Sequence, residues 1–248
     1  MQRLIQAFQF LTILPVPFLR ARVTTEVPLG TAAPFFPVVG GILAAVSYLF
    51  FGIVSSALPW RVSVLTLVFT PLILSGGLHM DGLSDFCDGF FSARASRDEV
   101  LRIMKDSRIG VMGTLGVFFV LLSKYELLVS LAGRGSIFFF MLIASRAVQV
   151  VLAYFSTYVG TASGMGKAFV GQIARRDLIL AVFISIGFCL PMGIYFTLAE
   201  VIALAFFVWI LSWYVKKRIG GVTGDVLGAA SELSEVCILA VAAWILPS

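Results

Sequence analysis

Charge is the first thing this 248-residue chain lacks: 12% of its residues are charged against 60% hydrophobic, and its mean hydropathy is +1.03. A soluble globular domain carries about a quarter charged residues, so that class is excluded. Histidine is nearly absent too. With His79 alone, a histidine-built metal centre or a Ser-His-Asp triad has almost nothing to draw on. Cys87, Cys189 and Cys237 show no CxxC spacing and read as small buried apolar residues. There is no low-complexity tract and no clear internal repeat, which argues against an inverted-repeat transporter. A cleaved signal peptide is not expected, because Pro15 and Pro17 interrupt the apolar N-terminus and no small-residue cleavage site follows.

What is present is apolar sequence in long runs, at roughly 33–58, 62–79, 109–132, 136–159, 178–198, 200–215 and 224–246. These predict an all-α, polytopic transmembrane helical bundle of about six to seven spanning helices, forming one integral-membrane domain over residues 1–248. The N-terminal "LIQAFQFLTILPVPF", within residues 4–19, is expected to lie at the interface or re-enter the bilayer.

The net charge of +5 invites a nucleic-acid reading, but its distribution points to topology instead. Fourteen basic residues fall in the N-terminal segment (Arg3, Arg20, Arg22) and in the loops 80–108, 160–177 and 216–222. The other side carries only Arg61 and Arg134, while Lys124 and Arg146 lie inside apolar runs. The positive-inside rule then places the N-terminus and those three loops in the cytoplasm, and no nucleic-acid partner is expected. Seven of the thirteen acidic residues converge on the same face: Asp81, Asp85, Asp88, Asp106, Asp225, Glu232 and Glu235.

The stretch "LHMDGLSDFCDGF" at 78–90 drops three aspartates at the end of an apolar run. On a helix, Asp85 lies about 40° and Asp88 about 20° from Asp81 around the axis. Two carboxylates about 6 Å apart repel by about 3 kcal/mol at an effective dielectric near 20. A divalent cation between them, or a proton on one, removes that cost. A helix cap accounts for one or two of the aspartates but not for Asp88 two turns on. A solvated helix face, salt bridging and a proton or cation path compete with metal binding. All-oxygen ligands favour magnesium or manganese over zinc.

Downstream, "EVLRIMKDSRIGVMG" brings Arg102, Lys105, Asp106, Arg108, Gly110 and Gly113 to the mouth of the next run. Arg and Lys suit phosphate oxygens, although the same residues serve as interfacial anchors. In "GGVTGDVLGAASELSE" Asp225 and Glu232 stand seven residues apart, about 20° out of register on a helix, with Glu235 on a neighbouring strip. Intramembrane acids are costly and mark functional interiors; a purely structural role would pair them with Arg146. Arg146 needs a carboxylate or a ligand, and Gly164, Gly166 and Lys167 form a weaker phosphate contact. No nucleophile setting is recognisable. Carboxylate-held metal with Arg and Lys suits direct displacement at phosphorus.

Along most of its length the chain resembles the cobalamin synthase family, the adenosylcobinamide-GDP ribazoletransferases. The landmarks are "FLTILPVP" at 10–17, "FPVVGG" at 36–41, "HMDGLSDFCDG" at 79–89, "RIMKDSRIGVMG" at 102–113 and "GGVTGDVLGAASELSE" at 220–235. It departs from the family at Ser84, where Ala is usual, and at Ile13, where a basic residue is usual. The resemblance implies a magnesium-dependent enzyme of the bacterial or archaeal cytoplasmic (inner) membrane. It joins α-ribazole, or its 5′-phosphate, to adenosylcobinamide-GDP and releases GMP. Metal and diphosphate roles then fall on Asp81, Asp85, Asp88, Asp225 and Glu232, with Asp106 as a further catalytic residue. Arg102, Lys105, Arg108, Arg146, Lys167, His79 and Glu235 are expected to bind substrate. Partners would be the two substrates and the bilayer, with self-association and contact with other cobalamin-assembly enzymes open. The competing readings are a CDP-alcohol phosphotransferase or prenyl-diphosphate transferase, whose motifs differ in spacing. An ion-coupled transporter is a third, disfavoured by the one-sided charge.

Overall fold

The computed structural model describes residues 1–15, 28–93, 95–160 and 165–246. Arg20, Arg22, Arg94 and Gly164, on which part of the sequence reading rests, lie outside these residues. The described residues form ten α-helices: α1 (Gln2–Leu11), α2 (Phe36–Ser55), α3 (Trp60–Leu74), α4 (Leu78–Phe90), α5 (Arg97–Ile103), α6 (Val111–Ser130), α7 (Gly135–Phe155), α8 (Arg175–Cys189), α9 (Ile194–Ile219) and α10 (Gly224–Ile245). Among them there is no β-strand, only an isolated bridge between Tyr158 and Val222. The all-α bundle expected from the sequence is what forms.

Helix length and apolar surface explain the architecture. At 1.5 Å per residue, a 20-residue helix is about 30 Å long, the thickness of the hydrocarbon layer. Five helical segments are long and apolar enough to cross: Leu29–Ser55, Val111–Ser130, Gly135–Phe155, Ile194–Ile219 and Gly224–Ile245. α7 and α10 pack together at the centre, with α2 and α8 against α7 and with α4, α6 and α9 against α10. Leu49, Phe50, Ile53, Phe118, Phe119, Ile202, Phe206 and Trp209 are exposed on the outer helices, an apolar belt that lipid solvates at no cost.

Two boundaries differ from the sequence reading. The run expected to span from 62 to 79 is interrupted, because Gly76 and Gly77 adopt φ of 64° and 73°, a left-handed conformation that glycine takes without penalty. α4 consequently leaves α3 at an 88° bend. The break expected between 198 and 200 falls inside α9; the chain actually turns at Leu190–Met192 and Gly193, whose φ is 115°. An acid within apolar sequence reads as a boundary, yet Glu200 is buried in α9. α1 is a ten-residue helix that buries Ile5, Ala7 and Leu11, too short at about 15 Å to cross. The remainder of its expected segment, from residue 16, lies outside the described residues.

The loops at the ends of α4, α7 and α9 meet at one end of the bundle. Val222 donates its N–H to Thr157 O at 2.8 Å and accepts from Val159 N–H at 3.0 Å. Arg218 donates to the carbonyls of Ala95 and Ser92 at 2.8 and 3.1 Å. These bonds gather segments from distant parts of the chain around the start of α10.

Candidate active site

α4 carries the aspartates, and two glycines let it approach α10. A Cβ on Gly82 would lie 2.9 Å from the Asp225 carbonyl oxygen, and one on Gly228 would lie 3.1 Å from that of His79. Only hydrogen at these positions permits the contact. Asp81 and Asp85 are thereby carried beside Asp225, which stands in the first turn of α10 with its Oδ2 accepting from Thr223 Oγ1 at 3.2 Å. At 13 residues, about 20 Å, α4 is too short to cross and lies outside the five spans. Asp85 is half-buried; burial, followed by the charges of Asp81, Asp225 and Asp88, pushes its carboxyl up to about 7.

Asp88 points elsewhere. Its Oδ2 accepts from Gly110 N–H at 2.7 Å and its Oδ1 from Gly113 N–H at 2.8 Å. It therefore caps the N-terminus of α6, a helix that begins 23 residues later in the chain. Its place along α4 excludes Asp88 as a cap of its own helix, but not as a cap of another, and both of its oxygens are engaged by α6, away from the space that Asp81 and Asp85 line. A Cβ on Gly110 or Gly113 would collide with a carboxylate oxygen of Asp88, so the glycines let the backbone of α6 close on this side chain. Ser84 also crowds Gly113.

Two cavities flank the aspartates. The larger, about 820 Å³, is open and is lined by Gln9, Thr12, Ile13, Ser84, Asp85 and Ser107, among others. The smaller, about 160 Å³, is lined by Phe36, His79, Gln149, Gly166, Phe169 and Asp225, among others. Asp81, Leu78 and Phe10 line both and form the partition. Asp88 lines neither. Ile13 and Ser84, the two departures from the family pattern, both face the larger cavity.

The smaller cavity has an aromatic wall and two unsatisfied polar groups. Phe36 and Phe169 stack in parallel at 4.6 Å between centroids, with Phe10 5.7 Å from Phe36. His79 and Gln149 are 2% and 4% exposed. His79 Nδ1 and Gln149 Oε1 are buried without a hydrogen-bond partner, while Gln149 Nε2 donates to Leu227 O at 3.2 Å. Such an orphan costs about 1–3 kcal/mol. The sequence reading misses Gln149; the available signal is an amide three positions after Arg146 in an apolar run.

The basic loop comes to the same end. Arg108 grips Asp106 through Nε at 3.0 Å, NH2 at 2.7 Å and its backbone N–H at 3.1 Å. These bonds hold the Asp106 carboxyl down at about 2. Asp106 thus spends its acceptors within its own loop, fixing Arg108, whose side chain is 86% exposed. Lys105 is near enough to Asp225 to act on its charge, and Arg102 on that of Asp106. Lys167 is exposed beside Gly166, which packs on Gly224.

Glu232, Glu235 and Arg146 are set apart from this group. Lys124 of α6 donates to Glu232 Oε2 and, at 2.5 Å, to Glu235 Oε2. Arg146 NH1 donates to Ser231 Oγ and lies 3.7 Å from Glu235 Oε1, which also accepts from Ser145 Oγ at 3.1 Å. Two cations and two anions neutralise one another in the bundle interior, where an unpaired charge would be prohibitive. The sequence placed Glu232 with the metal ligands and both Arg146 and Glu235 with the substrate contacts. The structure buries all three, and Lys124, to which the sequence assigns no role, is the hub.

Among the described residues no three His, Cys, Asp or Glu side chains meet as a ready metal cage. Asp81, Asp85 and Asp225 instead line two adjoining cavities within electrostatic range of one another. That donor set fits magnesium held by one or two carboxylates together with substrate phosphates and water, and does not fit an all-protein site.

A helical bundle with a lipid-facing belt and carboxylates around an open cavity at one end defines a multi-pass membrane enzyme. More narrowly, the chain belongs to the cobalamin-5-phosphate synthase family, whose model matches residues 3–243. It is 34% identical over 245 residues to the adenosylcobinamide-GDP ribazoletransferase of Listeria monocytogenes serotype 4a (strain HCC23), covering 96% of each chain. To that of Escherichia coli (strain K12 / DH10B) it is 37% identical over 240 residues, 93% of this chain and 94% of the relative. The enzyme of Citrobacter koseri is 38% identical over 210 residues, covering 82% and 84%. No solved structure matches the chain.

Proposed function

We propose that this protein joins α-ribazole, or its 5′-phosphate, to the phosphate of adenosylcobinamide-GDP with release of GMP, using magnesium, at the cytoplasmic face of a bacterial or archaeal inner membrane. The observation that carries the reading is the place of Asp81, on the partition between the two cavities, with Asp85 in the larger and Asp225 in the smaller. Two substrates in adjoining spaces would meet at that carboxylate. The relatives carry the activity's name, and the gathering of basic loops at the carboxylate end agrees with a cytoplasmic site.

In this mechanism Asp81 and Asp85 would hold the cation, and Arg108, Lys105 and Arg102 would take phosphate oxygens of the donor. Magnesium bound there would supply positive charge to offset that of the diphosphate. The acceptor hydroxyl oxygen forms a bond to the cobinamide phosphorus as the bond to the GMP oxygen breaks. Asp225, which lines the smaller cavity, would take the hydroxyl proton. The larger cavity is open, as a bulky corrinoid donor requires.

The test is GMP release from adenosylcobinamide-GDP by the protein in nanodiscs. It should require both α-ribazole and magnesium, and Asp85→Asn should remove most turnover without changing the melting temperature. Full turnover in chelator would overturn the metal role, and GMP release independent of α-ribazole would overturn the reaction.

A further inference from the structure

We infer that the smaller cavity seats the base of the acceptor nucleoside, with its flat ring against Phe10, Phe36 and Phe169. The chemical identity of the acceptor rests on the reaction proposed above; the site itself rests on the cavity. Two features mark it as built for a ligand. The first is its wall: three phenylalanines form a stacked face, and flat heterocycles stack on such faces in offset or edge-on geometry. The second is the pair of orphaned polar atoms, His79 Nδ1 and Gln149 Oε1, on side chains at least 96% buried that both line the cavity. Buried polar groups are nearly always satisfied, and exceptions call for an explanation.

The benzimidazole riboside offers what both atoms need. Its free ring nitrogen accepts a hydrogen bond, which His79 Nδ1 supplies in the tautomer protonated there. Its ribose hydroxyls donate, and Gln149 Oε1 accepts. At about 160 Å³ the space falls below the ~300–1,000 Å³ of pockets that bury a whole drug-sized ligand. It therefore takes the base with the near edge of its sugar and excludes the corrinoid. The guanine of the donor is the other flat heterocycle at hand; its edge carries several donors and acceptors, while five of the twelve lining residues are Phe or Leu, and displacement by GMP is the outcome that tells the two bases apart. A riboside held here by its base projects its sugar toward Asp225 and the partition at Asp81.

The experiment is equilibrium dialysis of labelled α-ribazole against the full-length protein in magnesium-loaded nanodiscs, without donor, followed by steady-state GMP release. Saturable binding is expected, displaced by free 5,6-dimethylbenzimidazole but not by GMP. Gln149→Leu should weaken it by about tenfold, the value of one buried hydrogen bond. Phe10→Leu, at a half-buried position that tolerates change, should also weaken it and decides the matter if Gln149→Leu fails to fold. In turnover, the KM for α-ribazole should rise more than the KM for adenosylcobinamide-GDP. Absence of wild-type binding, wild-type affinity in the folded variants, or displacement by GMP would overturn the subsite. The two ideas fail separately. GMP release with unaltered α-ribazole binding in the variants leaves the reaction and removes the subsite, whereas variant-sensitive binding without GMP release keeps the subsite and removes the reaction.

Discussion

Lys124 shows how much one side chain can reassign. Its ammonium sits between Glu232 and Glu235 within the bundle, so those acids serve as counter-charges. Removing one member of a buried ion pair costs about 3–5 kcal/mol because the partner remains charged and dry. Lys124→Met should therefore lower the thermal stability of the protein in nanodiscs by an amount of this order, and Lys124→Met with Glu232→Gln should recover part of the loss. If Glu232→Gln abolished GMP release at unchanged melting temperature, Glu232 would belong to the reaction after all. At the same scale, Asp81 and Asp85 are distinguished from Asp88 by what their oxygens face: cavity for the first two, the backbone N–H groups of α6 for the third.

That division becomes a prediction about elements. α4 is tied to α6 through Asp88 and to α10 through Gly82 and Gly228, so the aspartate helix is positioned by two neighbours. Loss of a cap costs about 0.5–2 kcal/mol, and Asp88→Ala should show that loss as a lower melting temperature. In magnesium titrations of GMP release, Asp81→Asn and Asp85→Asn should raise the magnesium requirement well above that of Asp88→Asn. Equal shifts in all three would return Asp88 to the metal. Most helices are legible in the sequence because hydropathy sums over a window of neighbours. The turn between α3 and α4 is not, since paired glycines inside an apolar run leave its hydropathy almost unchanged. Glu200 misleads in the opposite sense: a lone acid reads as a boundary, while in the fold it is enclosed by α9's neighbours.

For the whole molecule, the joining of the loops around α10 implies that the site opens on a single side of the membrane. In a background with the three native cysteines replaced, Lys167→Cys should react with a membrane-impermeant thiol reagent only after permeabilisation of cells. Ser56→Cys, in the turn between α2 and α3, should react from outside. Reversed labelling would overturn the cytoplasmic assignment and leave the chemistry of the site in place.

Composition and periodicity alone determined the class of the molecule, most of its helices, the uneven distribution of its basic residues and the segments from which the clustered carboxylates come. All of these are local sums or counts along the chain, and the motifs at 79–89 and 102–113 carried the family resemblance in the same local way. Tertiary structure decided which acid meets which partner. Lys124 and Glu232 are 108 residues apart, and Asp88 and Gly113 are 25 apart. Charge pairing acts across a few ångströms of space whatever the separation along the chain. The aromatic cavity is decided the same way, since Phe10, Phe36, His79, Gln149 and Phe169 come from five separate segments. Each is an ordinary core residue or a stray polar one until packing closes them around the same space.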